Sequence, residues 1–273
     1  MPELPEVETT KAGIEPYILH QEIESIVIRN GALRWPIPMN LCQILPGQTV
    51  NRISRRAKYI IIECSHGHLI CHLGMSGHFK MILKPTPLLK HDHVDIHFKN
   101  GVCLRYHDPR RFGCILWTEQ PIKDHFLIRK LGMEPLDSNW KHTELYQKLQ
   151  LKTLPIKTYL MNQENVVGVG NIYASESLFL ANIHPQLPVN KLSLKDCKQL
   201  IHAIQLILTN AIQQGGTTLN DYMNSEGKPG YFSQSLKVYH REHEPCLVCH
   251  TPIQKNIMGT RSTFFCPTCQ PLY

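Results

Sequence analysis

Tyr59-Ile60-Ile61-Ile62-Glu63 and His68-Leu69-Ile70-Cys71-His72-Leu73 flank the short break Ser65-His66-Gly67. Two apolar, β-branched runs split by a turn signal read as strands. The pattern extends outward. Ile23, Ile26 and Ile28 open a strand-like region that runs from Glu22 to Trp117. Val94-Asp95-Ile96-His97-Phe98 alternates, and Asn100-Gly101 supplies a tight hairpin turn before Val102-Cys103-Leu104. Several short strands with turn signals predict a β-sandwich or barrel. Ahead of them, residues 5–19 predict one helix, with Val7, Ile14 and Ile18 spaced for a buried face.

After about Pro135 the periodicity becomes helical. Segments 143–151, 157–162, 172–181 and 193–214 each predict a helix. The longest places Leu194, Cys197, Leu200, Ile201, Ile204, Leu208 and Ile212 on one side. Ser193 is positioned as its cap and Gly215-Gly216 as its stop. Residues 131–136 connect the β-rich half to the helical half. The expected class is α+β.

The chain has 273 residues, 42% apolar and 19% charged, which excludes a disordered or collagen-like polymer. Lys and Arg total 29 against 22 Asp and Glu, a net +7 that suits a polyanionic partner. No apolar run approaches bilayer length, and the glutamate-rich opening does not read as a secretory signal. These features predict a cytoplasmic protein with no membrane partner.

Six of the ten cysteines are scattered. Cys246, Cys249, Cys266 and Cys269 instead form two C-x2-C pairs separated by sixteen residues. This spacing fits one structural zinc ion held by four thiolates. A pair of disulfides is the competing reading, disfavoured without a secretory signal. Thr263-Phe264-Phe265 reads as a hairpin strand within this module, with Arg261 near the hairpin tip. The position suits an anion contact or a solvated arginine.

Four other motifs bear on chemistry. Asn165-Val166-Val167-Gly168-Val169-Gly170-Asn171 precedes a predicted helix whose N-terminus favours an anion, with Asn171 as a side-chain donor. Alone, such glycines more often only make a turn. His107-Asp108-Pro109-Arg110-Arg111-Phe112-Gly113 mixes cations with an aromatic ring, and Arg52, Arg55, Arg56 and Lys58 make a second basic cluster. Pro2, freed by removal of Met1, would carry a secondary amine able to attack a sugar carbon, with Glu3 beside it as an acid. On these two residues alone, a frayed, helix-initiating terminus is the commoner reading.

Jointly these motifs resemble the bacterial formamidopyrimidine-DNA glycosylases. The resemblance begins at Met1-Pro2-Glu3-Leu4-Pro5-Glu6-Val7-Glu8-Thr9. It continues through Arg55-Arg56-Ala57-Lys58-Tyr59, His72-Leu73-Gly74-Met75-Ser76-Gly77, Lys90-His91-Asp92-His93-Val94-Asp95 and Asp108-Pro109-Arg110-Arg111-Phe112-Gly113. It then takes in Val167-Gly168-Val169-Gly170-Asn171-Ile172-Tyr173-Ala174-Ser175-Glu176-Ser177, Gly215-Gly216-Thr217-Thr218-Leu219 and the zinc segment, covering nearly the whole chain.

The resemblance implies an N-terminal helix and β-sandwich domain at 1–134, a helix-two-turns-helix domain at 135–235 and a zinc finger at 236–273. It implies a monomer acting on damaged double-stranded DNA. Oxidised purines, 8-oxoguanine and formamidopyrimidines, would be excised and the abasic strand cut by β,δ-elimination through a Schiff base. By the same resemblance four residues are catalytic: Pro2 the nucleophile, Glu3 the acid, Lys58 a proton donor in β-elimination and phosphate contact, and Arg261 a grip on the lesion-side phosphate that assists δ-elimination. Glu6 and Glu176 support the site. Met75, Arg110 and Phe112 fill the gap left by the flipped nucleotide, and His72, His91, Lys152 and Asn171 contact DNA. A Gly-, Asn- and Ser-rich loop at about 217–231 matches the segment that closes over the base. His240 and His250 stand where the family commonly has glycine, which questions local turn geometry; neither they nor His243 receives a role. The alternatives are an endonuclease VIII-like glycosylase of oxidised pyrimidines and a non-catalytic, zinc-containing nucleic-acid-binding protein.

Overall fold

Strand pairing in the first half of the chain follows from alternation. The computed structural model describes residues 2–217 and 230–272. Two compact units emerge: residues 2–130 with 214–217 and 230–233, and residues 131–213 with 234–272.

The first unit opens with helix α1 (Leu4–Ile18), whose Val7, Ile14 and Ile18 are buried as their spacing predicts. Strands β1 (Ile23–Ile28), β6 (Asp92–Phe98), β7 (Cys103–His107) and β5 (His78–Ile82) form one antiparallel sheet in the order β1-β6-β7-β5. Strands β2 (Val50–Arg56), β3 (Tyr59–Cys64), β4 (Gly67–His72) and β8 (Cys114–Thr118) form the second, in that order. Ile26, Phe79, Ile96 and Leu104 from one sheet share a core with Ile60, Ile62, Leu69 and Ile115 from the other, which is the expected sandwich. A four-residue helix, α2 (Leu41–Ile44), packs on β1.

The turns behave as their residues require. Gly101 takes φ +82 in the β6–β7 hairpin, and Asn100 Oδ1 accepts the Val102 N–H at 3.1 Å. Gly67 is needed for closeness, since a Cβ there would lie 2.5 Å from the Trp117 ring. Strand β2 is where sequence and structure diverge in emphasis. Its arginines form a basic cluster in the sequence, but Val50 and Ile53 point inward, Arg52 is exposed on the outer face, and Arg55 turns in against Glu8.

The second unit holds α3 (His142–Gln150), α4 (Ile156–Met161), α5 (Asn171–Leu180) and α6 (Leu194–Gln213), within a residue or so of the predicted segments. Ser193 and Asp196 cap α6 reciprocally: Ser193 Oγ accepts the Asp196 N–H at 3.2 Å, and Asp196 accepts the Ser193 N–H at 2.8 Å. The unit ends in a hairpin of β9 (Gln254–Met258) and β10 (Arg261–Phe265), packed with Phe179, Val238 and Cys246. Among the described residues no helix is long and apolar enough to cross a membrane.

Candidate functional site

The residues singled out from sequence divide between the two units. The first holds Pro2, Glu3, Glu6, Lys58, His72, Met75, His91, Arg110 and Phe112. The second holds Lys152, Asn171, Glu176, Arg261 and the four cysteines.

Pro2 is buried directly ahead of α1. Glu3 is the helix N-cap. The Glu6 carboxylate reaches back to accept the Glu3 N–H at 2.7 Å and accepts the Thr217 N–H at 2.7 Å with its other oxygen. Both glutamates are nearly inaccessible, 3% and 2% exposed. The first turn of a helix, with its unpaired N–H groups, is where two buried carboxylates are best tolerated.

Lys58 follows Ala57 in the tight β2–β3 turn, closed by the Arg56–Tyr59 pair. Ala57 sits at φ +55, a conformation that an L-residue adopts at a cost. Arg55 braces it: the guanidinium donates to the Ala57 carbonyl at 2.9 Å and pairs with Glu8 at 2.8 Å. The turn thereby carries Lys58 as a buried lysine, 7% exposed. Arg55 is spent inside the fold and is not part of a free basic patch.

His72 ends β4. Its Nδ1 accepts the Gly74 N–H at 2.9 Å, which leaves the ring proton on Nε2 as the available donor. Burial, with the Lys58 and Arg34 charges, pushes its pKa down to about 4. His72 is therefore a neutral hydrogen-bond donor at physiological pH. Its neighbour Gly74 takes φ +64, and a Cβ there would lie 2.5 Å from both Phe112 C and Gly113 N. That close approach brings the Met75 turn and the Arg110–Phe112 loop side by side. Phe112 is 43% exposed, with the Arg110 guanidinium 5.0 Å from its ring centroid.

Asp108 organises this loop, a part that sequence reading quoted without a role. It is fully buried and accepts from Ser76 Oγ (3.0 Å), Tyr106 O–H (3.1 Å) and the Gly113 N–H (2.9 Å). Arg111 lies at φ +55 between the two exposed side chains. The Arg111 N–H donates to the Asp108 backbone carbonyl at 3.2 Å, so this positive-φ residue sits in a turn that Asp108 braces from both its backbone and its side chain. His91, half-buried at the start of β6, lies edge-on to the His93 and His107 rings at 6.1 and 5.9 Å.

In the second unit Gly170 caps α5 and Asn171 begins it. The Asn171 amide donates to Tyr239 O–H at 3.1 Å and to the Ser262 carbonyl at 2.9 Å, so its donors orient the β10 strand beside Arg261. Glu176, on the same helix, is 1% exposed and accepts the N–H groups of Lys237, Val238 and Tyr239 at 2.8–3.0 Å. Burial nevertheless pushes its pKa up. Lys152 is exposed, 3.3 Å from Asn165 Oδ1 and 5.2 Å from the Tyr159 ring centroid. The lysine that sequence reading passed over is Lys157. It is 1% exposed on α4 and donates to Thr263 Oγ1 at 2.9 Å and the Ser262 carbonyl at 3.2 Å. Its burial gives no local sequence signal. Arg261 is exposed at the hairpin tip, paired in register with Met258.

The four cysteine sulfurs lie within 4.8 Å of one another, with Cys249 3.4 Å from both Cys266 and Cys269 and Cys246 3.9 Å from Cys269. Tetrahedral zinc with Zn–S bonds near 2.3 Å needs S···S edges of about 3.8 Å. The donor set fits one zinc ion, and no cysteine forms a disulfide. His240 and His250 take φ +62 and +61, so the positions expected to need glycine do keep its conformation. Of the loop expected to close over a base, at about 217–231, residues 218–229 lie outside the described residues.

The formamidopyrimidine-DNA glycosylase N-terminal domain matches residues 1–115, the formamidopyrimidine-DNA glycosylase H2TH domain residues 131–223, and a zinc finger found in FPG and IleRS residues 244–272. A formamidopyrimidine-DNA glycosylase of Hydrogenovibrio crunogenus is 52% identical over 270 residues, covering 99% of this chain and 96% of that protein. A Lactococcus lactis FPG variant solved with a Fapy-dG containing DNA superposes with a TM-score of 0.91 at 37% identity, covering 99% of this chain and 100% of that one. The wild-type Lactococcus lactis protein with an oxidized pyrimidine containing DNA gives 0.90 at 36%, with the same coverage. With both units and the zinc module matched in order, the chain belongs to the formamidopyrimidine-DNA glycosylase family, whose members are N-glycosylases of oxidised-base repair in DNA.

Proposed function

We propose that this chain excises oxidised purines from duplex DNA and then cleaves the abasic strand, with Pro2 as nucleophile. The observation that carries the reading is the burial of Pro2. Pro2 is buried in one unit with three buried ionisable groups, Glu3, Glu6 and Lys58, where a terminus without chemistry would be solvated.

Once Met1 is removed, the Pro2 nitrogen attacks C1′ of the flipped nucleotide as the N-glycosidic bond breaks, and the base leaves with a proton. Glu3 assists opening of the sugar ring, giving an iminium between Pro2 and C1′. That cation acidifies C2′. Loss of the C2′ proton expels the 3′ phosphate, and a second elimination expels the 5′ phosphate. Lys58 serves proton transfer and phosphate binding. Glu6 and Glu176 hold backbone in place. Arg261 grips phosphate, a role suited to a guanidinium that does not give up its proton. His72, His91, Lys152 and Asn171 serve the DNA backbone. Met75, Arg110 and Phe112 fill the vacated stack, ring and thioether replacing base contacts while the guanidinium bonds the orphaned base.

Borohydride reduction should trap a covalent protein–DNA adduct on duplexes carrying 8-oxoguanine or a formamidopyrimidine. Pro2→Gly should lose most trapping while still binding DNA; undiminished trapping would sink the mechanism. Because a similar protein was solved with an oxidized pyrimidine containing DNA, the panel includes such a lesion. Faster excision of it than of either purine would favour the pyrimidine reading.

A further inference from the structure

Asn171, Tyr239, His240, Glu242, Lys255 and Arg261 line one cleft of about 380 Å³ in the second unit. The proposed function uses Arg261 and Asn171 there and leaves His240 without work. Yet the exposed His240 is held by both its backbone and its neighbours. Its backbone holds φ +62, a region that histidine enters at a cost. Its ring lies over the buried Phe264, with centroids 5.6 Å apart and 27° between planes, and edge-on to Tyr239 at 5.0 Å.

Both clamps are themselves fixed. Phe264 belongs to the core around the zinc-binding cysteines, and the Tyr239 oxygen accepts the Asn171 amide. The imidazole is therefore pre-placed, and an anion meeting it orders little further structure.

The charges facing it favour an anion once the ring is protonated. Lys255 and Glu242 pair at 2.9 Å, and His243 stands 3.7 Å from the same carboxylate. Arg241 is engaged with Glu244 at 2.8 Å and with the Lys237 carbonyl. Arg261 supplies the cleft's remaining positive charge, and a protonated His240 adds a second.

We propose that His240 is a further phosphate contact of the DNA-binding surface, whose grip strengthens on protonation. The inference rests on the phosphate reading of this cleft. Imidazoles are the side chains that change charge between pH 5 and 8, so the contact has a signature that packing alone lacks.

The test uses the zinc-loaded full chain and a duplex oligonucleotide bearing a tetrahydrofuran abasic-site analogue. Kd and its salt dependence are measured at pH 6 and pH 8 for the parent, His240→Asn, His240→Lys and Arg261→Ala. Asparagine tolerates the positive φ and carries no charge. His240→Asn should bind about five-fold more weakly than the parent at pH 6, the size of one exposed charge contact. The deficit should shrink toward pH 8, and the salt slope at pH 6 should fall by about one. His240→Lys should keep tight binding at both pH values. If His240→Asn matches the parent at pH 6 while Arg261→Ala weakens binding, this inference alone falls. If Arg261→Ala also matches the parent, the phosphate reading of the cleft falls with it.

Discussion

Glu6 joins two distant parts of the chain: one carboxylate oxygen accepts the Thr217 N–H at 2.7 Å while the other accepts the Glu3 N–H at 2.7 Å. The segment leaving Gly216 is thereby tied to the residue that follows Pro2. Gly216 takes φ +85, and a Cβ there would lie 2.9 Å from Glu6 Oε1. Glu6→Gln turns one acceptor into a donor facing an N–H. Borohydride trapping should slow roughly ten-fold or more, as expected for losing a charge-assisted buried bond. Gly216→Ala should cost about 1–3 kcal/mol through backbone strain and crowding, read from urea unfolding. A Gly216→Ala protein as stable as the parent would show that the contact is loose.

Gly74→Ala tests the paired loops. The added methyl must push on Phe112 and Gly113 backbone, which cannot rotate away. A loss of about 1–3 kcal/mol is expected. Excision from duplex DNA should fall more than cleavage of a preformed abasic site if the displaced Arg110–Phe112 loop fills the gap as proposed. Equal losses on both substrates would argue against that division of labour.

Two buried histidines should contribute to the loss of stability in acid. His72 and His78 both have pKa values pushed from 6.5 down to about 4, chiefly by burial. The folded state therefore resists protons that the unfolded chain accepts. Stability should hold above pH 6.5 and fall progressively as the pH drops toward 4. His72→Gln keeps an acceptor for the Gly74 N–H but cannot titrate, so its urea midpoint should depend less on pH in this window. An unchanged slope would remove His72 from the account.

Zinc should be required for the β9–β10 hairpin to present Arg261. Four thiolates released from the metal repel and reprotonate, and little other core supports the module. Chelation should strip most DNA affinity from the chain, with recovery on adding zinc back. Full affinity after metal loss would mean the hairpin stands without it.

The sequence by itself determined the element types, the caps and the zinc donors, because each rests on local chemistry. Alternation makes Tyr59–Cys64 a strand, Ser193 caps α6, and two C-x2-C pairs hold a metal wherever they fold. Strand β2 was obscured because its three arginines outweigh its buried residues in one dimension, although Arg55 is itself turned inward against Glu8. Only the tertiary structure decided which ionisable groups are buried. Lys58, Asp108 and Lys157 look like ordinary surface residues in one dimension. Burial depends on which strands and helices cover a side chain, and that comes from contacts between residues far apart in sequence. The same packing sets His72 to a neutral donor and aligns Gly74 against Phe112, relations that no spacing along the chain encodes.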